Sequence, residues 1–423
     1  MVTKLLKKAI RRFMNEDLES ASAQIELLSQ ASLRKKDQLR LQKILLLFMM
    51  GELWGLSTLH AILSHYGIRS NNYQKCWQQF SVSQIINMGS HLWKGILEKR
   101  LQTLAGKSGS TWSRSSFTIV IDGSVFKQWL NSEQFGKYYA RYFSGQTGKV
   151  EYGFHVILLG LSIGEDFYPL SFHILRKDKQ EKEAAIASKL LIKSSLYLNE
   201  VAEKHSIVYG KIYVSVDSGF RQESFLQTCE RLAYQAIVGT PKGHLYQIGA
   251  VKKKLSAHIK DTYLTAEQAH KATYESQGQE PPPFVWRVKA YYCVMKRWVT
   301  LVFFRINGSK KVSVVFSTDT KAKGKTIRRR FFKRVQIEQF FRFIKHSLKI
   351  QQSTSKSYIG FLRKFVLYVL KAVYCLLFLK KCRSLDQGFK RKGFEVIRRH
   401  IVHHIPDKPL YLMLVKGTFC TDF

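Results

Sequence analysis

Phe117-Thr118-Ile119-Val120-Ile121-Asp122-Gly123-Ser124 is the stretch on which the reading of the fold turns. Its first five residues are rich in β-branched and aromatic types, which predicts a strand buried on both faces. Asp122 closes the run, and Gly123-Ser124 reads as a turn. An ionised carboxylate beside an apolar strand is costly unless it is paired or metal-bound. One such Asp would be read simply as the start of a turn. But Lys211-Ile212-Tyr213-Val214-Ser215-Val216-Asp217-Ser218-Gly219 repeats the design of apolar strand, terminal Asp and small turn. Two strands that each bring an Asp to one sheet edge make an oxygen-rich site suited to Mg²⁺.

The chain around these strands is long and strongly basic. It has 423 residues and a formal net charge of +39, from 69 Lys+Arg against 30 Asp+Glu. That length suggests two or three domains. With 45% hydrophobic and 13% aromatic residues it can bury a large core, which argues against general disorder. A globular chain this basic needs a polyanionic partner, nucleic acid first. Ile44 to Met50 is too short to span a membrane, and Ile359 to Leu379 carries Arg363, Lys364 and Lys371. Both read as core helices, so no membrane partner is expected. Met1 to Met14 lacks the apolar run of a secretory signal. Cys76, Cys229, Cys293, Cys375, Cys382 and Cys420 form no Cys-x-x-Cys pair, which points to a reducing, cytoplasmic setting.

Residues 1–110 read as a helical, DNA-binding N-terminal domain, with Leu6, Ile10 and Phe13, then Leu41, Ile44, Leu45 and Phe48, at helical spacing. Leu56 to Phe80, turning at Gly67, permits a helix-turn-helix but equally an ordinary αα-hairpin. Ala105 to Ser116 reads as a linker, and the segment with Lys137, Arg141 and Lys149 as a loop. Tyr152 to Ile163 and Asp166 to Leu175 read as a hairpin turning at Gly164-Glu165. A helix over Lys182 to Glu203, the Asp217 strand, a helix over Glu223 to Leu232 and a strand over Tyr234 to Val238 follow. The order β-β-β-α-β-α-β is that of a ribonuclease-H-like core, in which the first and fourth strands are neighbours. The expected fold class is therefore α/β. Its catalytic core covers residues 115–240 and 318–350, with a β-rich insertion over 241–317 and a helical C-terminal region over 351–423. Within the insertion, Phe284 to Val288, Tyr291 to Met295, Trp298 to Phe304 and Lys311 to Phe316 read as four strands after the break at Pro281-Pro282-Pro283.

A third carboxylate completes the pattern. Between Lys321 and Lys349 the chain is crowded with Lys and Arg, and Glu338 is its acidic residue. On a helix Arg334, Glu338, Arg342 and Lys345 share a face. A solvated, salt-bridged face would look the same, but Val335, Ile337, Phe340, Phe341 and Ile344 indicate a docked helix. One carboxylate from that helix and two from the strands make a two-metal site. His400, His403 and His404 cluster without a suitable Cys or carboxylate spacing, and read as surface or phosphate-contacting residues rather than a zinc site. Asp319, in Ser-Thr-Asp-Thr, reads as a turn or cap.

Phe331-x2-Arg334-x3-Glu338-x6-Lys345 resembles the Tyr-x2-Arg-x3-Glu-x6-Lys signature of a large group of bacterial insertion-sequence DDE transposases. Asp122-Gly123-Ser124 is similar to that group's first catalytic block, and Asp217-Ser218-Gly219-Phe220 to its second, usually Asp-Arg-Gly-Phe. Phe331 stands in place of Tyr, Val335 in place of Trp and Ser218 in place of Arg. The resemblance implies a catalytic and metal-binding triad of Asp122, Asp217 and Glu338 holding two Mg²⁺, with Mn²⁺ as a substitute. It implies DNA contacts from Arg334, Lys345, Arg342, Lys333 and Arg330. The implied activity is cleavage at transposon ends and strand transfer into target DNA by in-line phosphodiester displacement. The implied partner is double-stranded DNA, both terminal inverted repeats and target, met by a homodimer at the bacterial nucleoid. A nuclease without strand transfer and an inactive DNA-binding relic are the competing readings.

Overall fold

The computed structural model describes residues 2–29, 35–56, 59–66, 81–108, 117–127, 138–144, 148–176, 179–306, 309–352, 357–385 and 393–405. In chain order the helices and strands begin with α1 (Val2–Phe13), α2 (Glu19–Ser29), α3 (Lys35–Gly51), α4 (Leu59–His65) and α5 (Val82–Ser108). There follow β1 (Phe117–Lys127), β2 (Tyr139–Ser144), β3 (Lys149–Ile163), β4 (Asp166–Ile174), α6 (Glu183–Lys204), β5 (Tyr213–Val216), α7 (Glu223–Arg231) and β6 (Gln235–Gly239). Next are β7 (Leu245–Ile248), β8 (Val251–Lys254), α8 (Leu264–Glu275), β9 (Val285–Tyr292), β10 (Arg297–Arg305) and β11 (Val312–Ser317). The last are α9 (Gly324–Phe332), α10 (Arg334–Arg342), α11 (Tyr358–Leu385) and α12 (Phe394–His404). The fold is mixed α/β, and its chain divides into a helical unit (1–97, 128–135, 340–423) and a sheet unit (98–127, 136–339).

The sheet unit is built on one 11-stranded sheet in the order β2-β3-β1-β5-β6-β11-β10-β9-β7-β8, with β4 paired to β3. β1 pairs antiparallel with β3 along its whole length, and parallel with β5 from Thr118↔Tyr213 to Ile121↔Val216. Parallel pairing needs both faces covered, which is why Ile119, Val120, Ile121, Val214 and Val216 are all fully buried. β11 closes onto β6 antiparallel, so the strands after Pro283 extend the same sheet. α9 covers it, with Ile327 packed on Tyr213, Ile237, Val302, Phe304 and Val315. β1 and β3 approach closely at glycines. A Cβ on Gly123 would lie 2.5 Å from His155 Nε2, and one on Gly153 would run into the Phe126 carbonyl.

The helical unit has its own core. Phe13 of α1 meets Tyr374 and Phe378 of α11 edge-on, with ring centroids 6.2 and 5.5 Å apart. Glu52, fully buried, receives Lys371 Nζ at 3.0 Å on one oxygen and Arg398 Nη1 at 2.6 Å on the other. No helix among the described residues is long and apolar enough to cross a membrane.

Several sequence expectations are corrected. β1 does not turn at Gly123-Ser124 but continues to Lys127, because its antiparallel partner β3 runs on to Gly153 after the parallel partner β5 has ended. Arg141 lies in β2 and Lys149 opens β3, where a loop was expected. α5 extends to Ser108, into the expected linker. Phe284 to Val288 and Tyr291 to Met295 are not two strands but the single β9, held in register by β10 from Arg297↔Tyr292 to Phe304↔Val285. The stretch before Pro281 contains the hairpin β7–β8 and α8, which the sequence reading missed. α8 has no apolar stripe, and its one buried residue is Glu267, held by the Arg305 guanidinium at 2.7–2.9 Å and the Tyr263 hydroxyl at 3.2 Å. The second half of the expected helix-turn-helix, Gly67 to Phe80, lies outside the described residues.

Candidate functional site

The register that ends the parallel pairing also makes the site. Ile121↔Val216 is the last β1–β5 pair, so Asp122 and Asp217 are the next residue on two adjacent strands. Each carboxylate is oriented by the backbone amide of the next residue: Asp122 Oδ1 accepts from Gly123 N at 3.0 Å, and Asp217 Oδ1 from Ser218 N at 2.6 Å. Asp217 caps the 3₁₀ turn Ser218–Phe220 and leaves the sheet edge exposed. Asp122 is the less accessible, its side chain 16% exposed.

Glu338 reaches this place from α10 through Arg334. Arg334 Nη2 lies 2.7 Å from Glu338 Oε1, one helical turn on, while its Nη1 lies 3.6 Å from Asp122 Oδ2. One guanidinium thus ties the helix carboxylate to the first strand carboxylate. Burial pushes the Asp122 carboxyl up to about 7; the negative charges of Glu338 and Asp217 add to this, against the Arg334 cation and the Gly123 amide. Among the described residues no group of three or more His, Cys, Asp and Glu is set to hold a metal ion as it stands.

The expected DNA-contacting residues are in different situations. Arg330 is placed elsewhere than expected. It is 7% exposed, and its Nη1 donates to the Phe117 carbonyl at 2.8 Å and lies 3.3 Å from Thr118 Oγ1, with the guanidinium over the Tyr213 ring. It fastens α9 to the start of β1, because a buried guanidinium needs such acceptors. Lys333 donates to the Gly164 carbonyl at 2.5 Å on the β3–β4 turn. Arg342 is exposed and Lys345 half-buried, both in the helical unit. Lys321, Lys323, Lys325 and Arg329 are exposed on or just before α9. Asp319 is a turn residue, accepting from the Lys321 and Ala322 amides at 3.0 Å each and from the Tyr213 hydroxyl at 2.8 Å. In the helical unit His400 lies 3.1 Å from Thr3 Oγ1 and its ring is 4.4 Å from that of His404.

Sequence reasoning passed over three residues beside the carboxylates. His155 of β3 sits against Gly123, and its Nε2 lies 3.5 Å from Glu183 Oε1 at the start of α6. Burial raises the Glu183 carboxyl, and the charge of Asp217 raises it further. Arg221 folds back over the 3₁₀ turn, its Nη1 donating to the Ser218 carbonyl at 2.6 Å. A histidine inside the apolar run of β3 was the one available signal; the other two are ordinary surface types in sequence. No curated protein matches the chain. The family model of the transposase DDE domain matches residues 118–376, more than half of the chain and all three carboxylates, and the chain belongs to that family.

Proposed function

We propose that the chain cuts DNA at the ends of an insertion sequence and joins the freed ends to target DNA, with Asp122, Asp217 and Glu338 as the catalytic triad of a ribonuclease-H-like core. The observation that carries this reading is the side-by-side placement of Asp122 and Asp217 one residue beyond the last parallel β1–β5 pair, with Glu338 bridged to Asp122 by Arg334. Burial, with the charges of Glu338 and Asp217 added to it, pushes the Asp122 carboxyl up, and a divalent cation beside it would favour its charged form. Asp122, Asp217 and Glu338 would hold Mg²⁺, which when bound lowers the pKa of an attacking water or 3′-hydroxyl and stabilises the leaving oxygen.

The chain's own contribution is charge and placement. Arg334 holds Glu338 and Asp122 in one arrangement, and its planar fork also suits a phosphate. A phosphate at this guanidinium would compete with the carboxylates for it, which would leave their oxygens to the cation. Buried Phe340 and Ile337 fix α10, so Glu338 reaches the site from a docked helix rather than a free one. Lys321, Lys323, Lys325 and Arg329 present an exposed positive surface for the DNA backbone.

The test uses a duplex carrying the DNA that bounds the gene, with Mg²⁺ present. The native chain is expected to cut it and to produce joined products. Glu338→Gln, which keeps shape but removes one negative charge, is expected to lose at least about 10³-fold in cleavage while binding persists or tightens. Near-native cleavage by this variant would remove Glu338 from the site. Cleavage without joined products would leave a nuclease, and binding without cleavage a DNA-binding relic.

A further inference from the structure

The family's second block usually reads Asp-Arg-Gly-Phe, whereas this chain has Asp217-Ser218-Gly219-Phe220-Arg221. The arginine missing after the aspartate is present three residues later, and the 3₁₀ turn brings its guanidinium back to the Ser218 carbonyl at 2.6 Å. An arginine has five N–H donors, so this bond leaves the rest of the guanidinium for a further partner.

Arg221 lines a pocket of about 390 Å³ together with Gly219, Glu223, Tyr292, Met295 and Lys296. One wall is the turn that follows Asp217; the other is the tip of the β9–β10 hairpin. Tyr292 is fully buried and stacked on Tyr246, with centroids 4.5 Å apart, which gives the pocket a stiff aromatic wall. The charges do not balance. Glu223 is the one carboxylate in the lining, and it is drawn to Arg297, with Nη1 3.2 Å from its Oε1. Arg221 and Lys296 remain as cations. Lys296 is exposed and holds φ at 49°, a left-handed conformation that costs a residue with a Cβ of the order of 1 kcal/mol or more. Such a conformation is common for the residue that closes a hairpin turn, and here it leaves the Lys296 cation on the same pocket as Arg221.

Building on the function proposed above, we infer that Arg221 and Lys296 form a phosphate-binding subsite that holds one backbone phosphodiester of the DNA strand passing Asp217, and that Arg221 takes the place of the arginine that Ser218 lacks. Both cations reach the pocket from backbone fixed by the sheet, Arg221 from the end of β5 and Lys296 from the β9–β10 turn. The subsite therefore positions the strand rather than acting on the reacting atoms.

The experiment measures binding of a fluorescent duplex to the full chain across a salt series, in parallel with its thermal melting. Arg221→Ala should weaken binding about tenfold and lower the slope of log affinity against log salt by about 1, the loss of one phosphate contact. Lys296→Asn, which tolerates the left-handed backbone, should do the same to a smaller extent. Ser218→Arg in the Arg221→Ala background should restore slope and affinity, which a merely structural role for Arg221 would not allow. If both single variants melt normally and keep the native slope, the subsite does not exist. Should Arg221→Ala fail to fold, an unchanged slope in Lys296→Asn overturns the proposal by itself. Native chain that cleaves and joins DNA while these variants bind normally would refute the subsite and leave the function standing. Native chain with no salt-dependent binding would refute both.

Discussion

Glu52 and Asp122 are both withdrawn from water, one in each unit, and they are treated in opposite ways. Glu52 is matched oxygen by oxygen: Lys371 at 3.0 Å on one, Arg398 at 2.6 Å on the other. Lys371 is also covered by the Phe48 ring at 3.9 Å. That cluster is closed, and nothing need be added to it. Around Asp122 the balance runs the other way, with Asp217 and Glu338 adding negative charge and Arg334 shared between two carboxylates. A buried carboxylate with its cations belongs to the scaffold, and one left short of cations belongs to a binding site. Residue type does not tell the two apart; counting partners does.

The widest separation between the two should come from breaking the closed cluster. Glu52→Gln leaves Lys371 and Arg398 without the buried counter-charge, and is expected to cost about 3–5 kcal/mol in chemical denaturation. The double variant Glu52→Gln with Lys371→Met should recover much of that loss, since a buried pair can often be replaced by apolar groups. Equal stability of Glu52→Gln and the native chain would show that the cluster is not closed.

At the open cluster the sign reverses. The Asp122 carboxyl is raised from 3.8 to about 7 in the fold, so between those values the folded state holds a proton that the unfolded state has released. Stability from this group is complete below about pH 4 and is lost as pH rises through about 7. In chelator, Asp122→Asn should therefore be more stable than the native chain at pH 8, by at most roughly 3–4 kcal/mol, and equal to it near pH 4. Urea midpoints measured across that range decide it, and a difference that grows toward acid would contradict the raising of the Asp122 carboxyl by burial.

The smallest effect is expected from a pair that is neither closed nor open. Lys333 meets the Gly164 carbonyl and the Glu165 carboxylate, the latter 95% exposed. Lys333→Ala should cost less than about 1 kcal/mol. A larger shift in denaturation midpoint would mean that the β3–β4 turn anchors α10 more firmly than its exposure suggests.

Much of the candidate site was legible because the Asp122 and Asp217 strands carry their own burial signal: no polar residue interrupts Ile119 to Ile121, and each run ends on a carboxylate. Glu338 was legible as a lone acid among bases. The length of β1 was not, because Gly123-Ser124 has turn chemistry, and only pairing with β3 keeps it extended. α8 was hidden for a related reason: a helix docked by the Glu267–Arg305 pair leaves no apolar period to read. Arg330 looked like every other base in its cluster, and what distinguishes it is a carbonyl 213 residues away in sequence. Local pattern reports burial well and partners poorly.

The close approach of β1 and β3 bears on how such a gene decays. At Gly123, Gly153 and Gly160 a single added methyl would meet the His155 ring, the Phe126 carbonyl, and the Phe167 ring with the Tyr168 carbonyl, respectively. Two of those obstacles are backbone and cannot turn aside. Missense changes at these codons would push β1 from β3 at Gly123 and Gly153, and β3 from β4 at Gly160, while leaving every acidic residue in place. A copy of the gene could thus keep Asp122, Asp217 and Glu338 and still encode an inert protein, so the glycines of β1 and β3 are the better place to look for the mark of a silenced copy.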